Sequence, residues 1–300
     1  MMAHYDYIIA DLCLRTDVDL VAYGLRGFKP FAATEQDDHR VDCLVAVLDD
    51  MDNDSRAIIS ELSQSYVAEA NADSRFFKTA EGYLYSIKPL DEDCEPTLFH
   101  IRLADHRVTT NIRLECCNPA IFRFGIWIMF GVVLAEHRAI AIHSSVIESE
   151  GRGVLFLGES GTGKSTHTRL WRENIEGAKL LNDDSPIVRI VGDEVRVYGS
   201  PWSGKTPCYK ALSYPVAGFC RLSQAPENRI TRLKGIAAIG ALLPSAPPQF
   251  AHDGYLQDAI LTTIGCTLMS VPVYHLACLP NAEAAELSHK TIIGDATTIR

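Results

Sequence analysis

Several common signatures are missing from this 300-residue chain, and each absence removes a class of function. Its nine cysteines, at 13, 43, 94, 116, 117, 208, 220, 266 and 278, include no C-x-x-C pair. Their odd number and the adjacent Cys116-Cys117 suit neither a zinc knuckle nor an ordinary disulfide framework, so they read as scattered thiols of a reducing compartment. No H-E-x-x-H is present, which removes the zincin type of metalloprotease. There is no block of Lys and Arg, and the net charge is −10, so neither a general affinity for nucleic acid nor one for an anionic membrane is expected. No run of 18 uninterrupted apolar residues occurs. The most lipid-like stretch, 121–135, carries Arg123 and Gly125 and reads as a core helix. Residues 1–7 show no basic region followed by an apolar core, so no signal peptide is expected and a cytoplasmic location follows. Internal repeats, low-complexity tracts and Pro/Gly/Ser-rich linkers are likewise absent.

What remains is ordinary globular composition, 47% hydrophobic and 22% charged, organised around one stretch. Gly158-Glu159-Ser160-Gly161-Thr162-Gly163-Lys164-Ser165-Thr166 matches G-x-x-x-x-G-K-[ST] without a mismatch. Val154 to Leu157 before it reads as a buried strand, and 166–174 after it as a helix with Gly177 placed to stop it. Strand, glycine turn and helix form the context of a phosphate site. The glycines allow successive backbone N–H groups to point inward, and the helix N-terminus adds positive potential. Lys164 supplies a mobile charge for the β- and γ-phosphates, and the Ser165 hydroxyl is a ligand for Mg²⁺. The expected cofactors are therefore ATP and Mg²⁺.

Twenty residues after Lys164, a short strand over 179–184 ends in Asp183 and Asp184. Paired carboxylates at a strand end suit Mg-ATP chemistry, one holding the metal while the other accepts a proton. Asp-Asp-Ser-Pro is also good turn chemistry, and that reading stays open. A loop follows at Gly199–Thr206, and its Trp202-Ser203-Gly204-Lys205 can close over a substrate, with Lys205 bringing charge to a transferring phosphoryl group. The alternative is a surface turn whose Trp202 plugs the core.

Elsewhere the pattern predicts short strands at 7–10, 43–48 and 83–87, a hairpin from 98–103 and 108–114, and a helix over 55–66. The acidic cluster at Asp49, Asp50, Asp52 and Asp54 lacks the Gly and Glu of a calcium loop and reads as a solvated turn. Asn118 caps a helix from Pro119 to about 137, followed by one strand over 139–148 that contains His143. Beyond 184 come a hairpin at 187–198, strands at 216–222 and 229–233, helices at 235–243 and 253–269, a strand at 271–279 and a helix at 281–290.

His143, the run 158–166 and Asn182-Asp183-Asp184 together resemble the HPr kinase/phosphorylase family and its relative, ATP-dependent phosphoenolpyruvate carboxykinase. The segment 271–281 is similar to HPr-kinase-like proteins, some of them beside peptide-maturation genes. The resemblance covers roughly 139–290. It implies that Asp183 or Asp184 is the general base for an accepting hydroxyl while the other binds Mg²⁺, that Lys164 and Ser165 keep their phosphate-loop roles, and that His143 lies near the γ-phosphate.

These readings give an α/β fold, α+β overall. A P-loop kinase domain at 116–300, of the HPr kinase/phosphoenolpyruvate carboxykinase type with a mixed sheet and flanking helices, follows a smaller β-rich part at 1–115. The expected activity is transfer of the γ-phosphate of ATP to a hydroxyl on a peptide, protein or small molecule, in a chain able to form a homo-oligomer. A non-catalytic ATP-binding regulatory module and carboxykinase-type chemistry are the alternatives.

Overall fold

The computed structural model describes residues 3–34, 40–48, 57–91, 94–204 and 206–298. The chain divides into two compact units, Met1–Glu136 with Gln249–Gln257, and His137–Pro248 with Asp258–Arg300. The acidic cluster at Asp49 to Asp54, with Ser55 and Arg56, lies outside the described residues.

The first unit is built on eight strands: β1 (Tyr5–Ile9), β2 (Leu12–Thr16), β3 (Val41–Val47), β4 (Ile58–Val67), β5 (Ala72–Thr79), β6 (Gly82–Pro89), β7 (Thr97–Arg102) and β8 (Arg107–Thr110). They form one sheet in the order β1-β2-β3-β8-β7-β6-β5-β4. β3 runs parallel to β2 and β8, and every other neighbouring pair is antiparallel. The expected hairpin of β7 and β8 is present, with Phe99 opposite Thr110.

The helix expected over 55–66 is instead strand β4 from Ile58 onward. Its apolar residues at 58, 59, 62 and 66 are compatible with helical spacing, but the segment pairs along its length with β5, with two register shifts that absorb the irregular pattern. Pairing to a neighbour, which local spacing does not encode, decides its conformation.

Helix α1 (Pro119–Glu136) packs on β3, β6 and β7. Asn118 caps it as expected, its Oδ1 accepting the Ala120 N–H at 2.9 Å, with Pro119 in the first turn. It is long and apolar enough to cross a membrane, but 61% of it is buried in the protein, as a core helix requires. Gly125 is there because a Cβ at that position would run into the Phe99 ring. This packing is why the division between the units falls after Glu136 and not near 115.

The second unit holds β9 (Ala139–Ala141), β10 (Ser144–Ser149), β11 (Arg152–Leu157), α2 (Lys164–Asn174), β12 (Lys179–Asp184), β13 (Ile187–Val191), β14 (Glu194–Tyr198), β15 (Ser213–Gln224), β16 (Arg229–Leu233) and α3 (Ile236–Leu242). It closes with most of α4 (Gly254–Ser270), β17 (Val273–Cys278) and α5 (Ala282–Thr298). The sheet runs β12-β10-β11-β15-β14-β13-β9, and β17 and β16 join it through β15. β11, β15 and β17 are mutually parallel, while β10 is antiparallel to β11 and β12 antiparallel to β10. The result is a mixed α/β architecture.

The strand expected over 139–148 is two strands, broken at Ile142-His143. β9 pairs with β13, whereas β10 pairs with β11 and β12, so the chain changes partners at that joint. Backbone bonds from Ile142 N to Pro186 O, 3.0 Å, and from His143 N to Ser245 O, 2.8 Å, fix the break.

Under one face of the sheet, Phe156 of β11 meets His167 and Trp171 of α2 edge-on, at 4.8 and 5.4 Å between ring centres. Ser288 of α5 ties them, lying 3.0 Å from His167 Nε2 and 2.9 Å from Trp171 Nε1. Burial pushes the His167 pKa down to about 4. The unfolded chain protonates this residue near 6.5, so between those values it binds a proton that the folded state refuses. Stability is therefore expected to fall as the pH drops from 6.5 towards 4, by on the order of 3 kcal/mol in all, with no further change from this source outside that window. Urea titrations across this range check it: His167→Gln should flatten the slope, and an unchanged slope would contradict the assignment.

Candidate functional site

β11 ends at Leu157 and α2 begins at Lys164, so residues 158–163 turn the chain from the sheet onto one of its faces. Three glycines make the turn, with φ of +151° at Gly158, +84° at Gly161 and +103° at Gly163. Gly158 has a second reason to lack a side chain, since a Cβ there would collide with Thr162 Oγ1. Thr162 braces the loop from within, its hydroxyl donating to Glu159 O at 2.8 Å. Glu159, Ser160, Gly161 and Ser165 are exposed and Thr166 is half-buried. The first N–H groups of α2 open towards this side, where a helix has no partners of its own to offer.

Strand register then assembles the rest. Asp184 of β12 pairs with Ser144 of β10, Ser144 with Leu157 of β11, Leu157 with Arg221 of β15, and Arg221 with His275 of β17. One residue further in, Asp183 pairs with Ser145, which pairs with Phe156. The glycine loop thus rises between an acidic side and a side that carries Arg221.

On the acidic side the groups form a chain of contacts. The Lys164 ammonium donates to Gly158 O at 2.6 Å and Glu159 O at 3.2 Å, and lies 3.0 Å from His143 Nε2. An ammonium has only protons to give, so His143 accepts at Nε2 and carries its own proton on Nδ1. That Nδ1 faces Asp184 Oδ1 at 3.1 Å. Burial drives the Lys164 pKa down, the Asp184 and Asp183 carboxylates act against the fall, and Arg221 adds to it. His143, expected on a strand, is in fact at the joint between β9 and β10, which leaves its ring half exposed beside the loop.

The two aspartates differ. Asp183 is buried, and its Oδ1 accepts from the hydroxyl of fully buried Ser145. Asp184 keeps 39% of its side chain exposed and adopts a φ of +126°, a region open to few residues other than glycine.

The segment after Gly199 folds against this pair. Gly204 N–H donates to Asp183 O at 2.6 Å, Ser203 Oγ donates to the same carbonyl at 3.1 Å, and Ser203 makes a bridge with Asp184. Trp202 is buried at 5% exposure, which matches the plug reading of its side chain. Ser203 and Gly204 are the members of that loop set against the acids, and Lys205 lies outside the described residues.

Two residues at this site escaped the sequence reading, Ser145 and Arg221, while Asn182 entered it only as part of the Asn182-Asp183-Asp184 motif, with no role of its own. Asn182 is fully buried, its Nδ2 lying 3.0 Å from Trp202 O and 3.4 Å from the carbonyls of Ser200 and Cys208, while its Oδ1 accepts the Ser185 N–H at 3.1 Å. It fastens both ends of the 200–208 loop to the strand that bears the acids. The signal available in the sequence was its place directly before the Asp pair.

No family model matches the chain, and no curated protein matches it either. Among solved structures, the Hpr(Ser) kinase/phosphatase from Coxiella burnetii is similar over 52% of this chain and 95% of that one, at 12% identity and a TM-score of 0.29. A likeness of that score carries no argument about activity.

Asn182→Ala removes the buried amide donor shared by the Ser200, Trp202 and Cys208 carbonyls, of which Trp202 O keeps the Ser200 hydroxyl, at a cost of about 1–3 kcal/mol. Hydrogen exchange is expected to quicken at the Gly204 and Cys208 amides, which the folded loop protects; unchanged rates there would contradict the fastening role.

Proposed function

We propose that this chain is an ATP-dependent phosphotransferase that passes the terminal phosphoryl group to a hydroxyl acceptor. The single observation that carries the reading is the Lys164–His143–Asp184 chain beside the glycine loop. It sets a partly desolvated cation and a solvent-reachable carboxylate on either side of one imidazole.

The donor set favours a polyphosphate. Lys164 is turned onto two backbone carbonyls and an imidazole, neutral partners that an anion displaces at little cost. The loop glycines and the opening of α2 add N–H donors. For the metal, Asp183, Asp184 and Ser165 are the hard oxygen donors a Mg²⁺ ion takes. Among the described residues no three His, Cys, Asp or Glu side chains group closely enough to hold an ion by themselves. A Mg²⁺ ion here would draw its remaining ligands from phosphate oxygens and water, and would supply charge neutralisation on the transferring group.

In the transfer, Asp184 accepts the proton of the attacking hydroxyl. The new O–P bond forms as the bond to the β-phosphate bridging oxygen breaks, and ADP leaves with that electron pair. Asp184 suits the role because it is the exposed member of the pair, oriented through His143 Nδ1. Asp183, with one oxygen engaged by Ser145, offers the other to the metal. Lys164 follows the charge that builds on the β–γ bridge. The acceptor class is a hydroxyl of a peptide, protein or small molecule, approaching past Ser203 and Gly204.

³¹P NMR of Mg-ATP with a panel of serine peptides and polyols tests the reading. Asp184→Asn is expected to lower the transfer rate by about 10²–10⁴-fold, the usual worth of a general base. Full transfer by both Asp183→Asn and Asp184→Asn would overturn the assignment. Tight ATP binding without turnover across the panel would favour a regulatory module instead.

A further inference from the structure

Opposite the acids, on the β15 side of the loop, lies a cavity of about 530 Å³. The arc from Glu159 to Thr162 forms one wall and the end of β15 the other, with Arg221, Ser223 and Gln224 contributing. Arg221 is held in place, Nη1 donating to Ala241 O at 3.2 Å and Nη2 lying 3.8 Å from Glu159 Oε1. The Ser223 hydroxyl is 2.9 Å from His275 Nε2. Leu222 between them packs into the core.

We propose that this cavity takes the nucleoside end of the nucleotide, its base and ribose. The inference rests on the phosphotransferase reading and fixes the direction in which the ligand lies. Transfer requires the terminal phosphorus beside Asp184 and His143, so with the phosphates in the loop the chain must leave on the other side, where the cavity begins. The reverse orientation places an uncharged sugar and base among two carboxylates and points the most highly charged phosphate at Glu159.

Charge within the cavity agrees. Arg221 is answered by Glu159, so the space is close to neutral and suits an uncharged occupant better than a phosphate or an anionic acceptor. Its volume lies within the range of small-molecule sites. A flat guanidinium offers a face to a base, and the Gln224 amide offers a donor and an acceptor to a base edge. Neither Arg221 nor Gln224 stands in the loop motif, and only strand register brings β15 beside it.

Calorimetry of the full chain with Mg-ATP and with Mg-tripolyphosphate tests the assignment, because the second ligand lacks the nucleoside. Wild type is expected to bind ATP at least about tenfold more tightly than tripolyphosphate. Ser223→Phe, which fills the cavity, and Gln224→Ala should erase most of that advantage while tripolyphosphate affinity stays within about twofold. Lys164→Ala should weaken both ligands. Gln224 is exposed, so its alanine variant decides the matter if Ser223→Phe does not fold. Equal affinities in the wild type, or an undiminished ATP preference in Gln224→Ala, would overturn the cavity assignment and leave the loop reading standing. Failure of the wild type to bind either ligand would instead remove the phosphotransferase reading, and the cavity assignment with it.

Discussion

The second unit depends on a cation that has been taken partly out of water without being given an anion of its own. Lys164 sits against the carbonyls of Gly158 and Glu159 and the ring of His143, and burial lowers its pKa while the nearby carboxylates oppose the fall. Partial dipoles stabilise such a charge less well than a formal negative charge does. On the proposed reading a bound polyphosphate would supply that charge, the lysine swinging from carbonyl to phosphate.

That arrangement is made by strand register. Five strands carry Asp184, Ser144, Leu157, Arg221 and His275 in one line across the sheet, and the loop springs from the middle of it. A residue held at φ of +126° has a cost of order 1–3 kcal/mol, and it persists where its surroundings over-determine it. At Asp184 the surroundings are the bridge to Ser203, the close approach of Gly204 and the Asn182 fastening. The break at Ile142-His143 belongs to the same construction, since a continuous strand would have stood the imidazole on a face of the sheet.

The parts legible in the sequence are those whose conformation is local. Glycine spacing specified the loop because positive φ values are a property of the residue itself, and Asn118-Pro119 marked the start of α1 for the same kind of reason. The carboxylate pair was visible as chemistry, although the difference between a buried Asp183 and a half-exposed Asp184 was not. What stayed hidden depends on partners distant along the chain. Residues 58–67 became a strand because β5 was there to pair with, and Arg221 reached the loop because β15 runs parallel to β11. Asn182 was legible as the neighbour of the Asp pair, but its hold on the 200–208 loop depends on carbonyls 20 and 26 residues away.

A crystal structure with Mg²⁺ and a non-hydrolysable ATP analogue measures the central exchange directly. The account predicts that Lys164 Nζ leaves Gly158 O and His143 for a phosphate oxygen, with the terminal phosphorus turned towards Asp184. A triphosphate bound away from the 158–166 loop, or a lysine still on its carbonyls with the ligand in place, would contradict it.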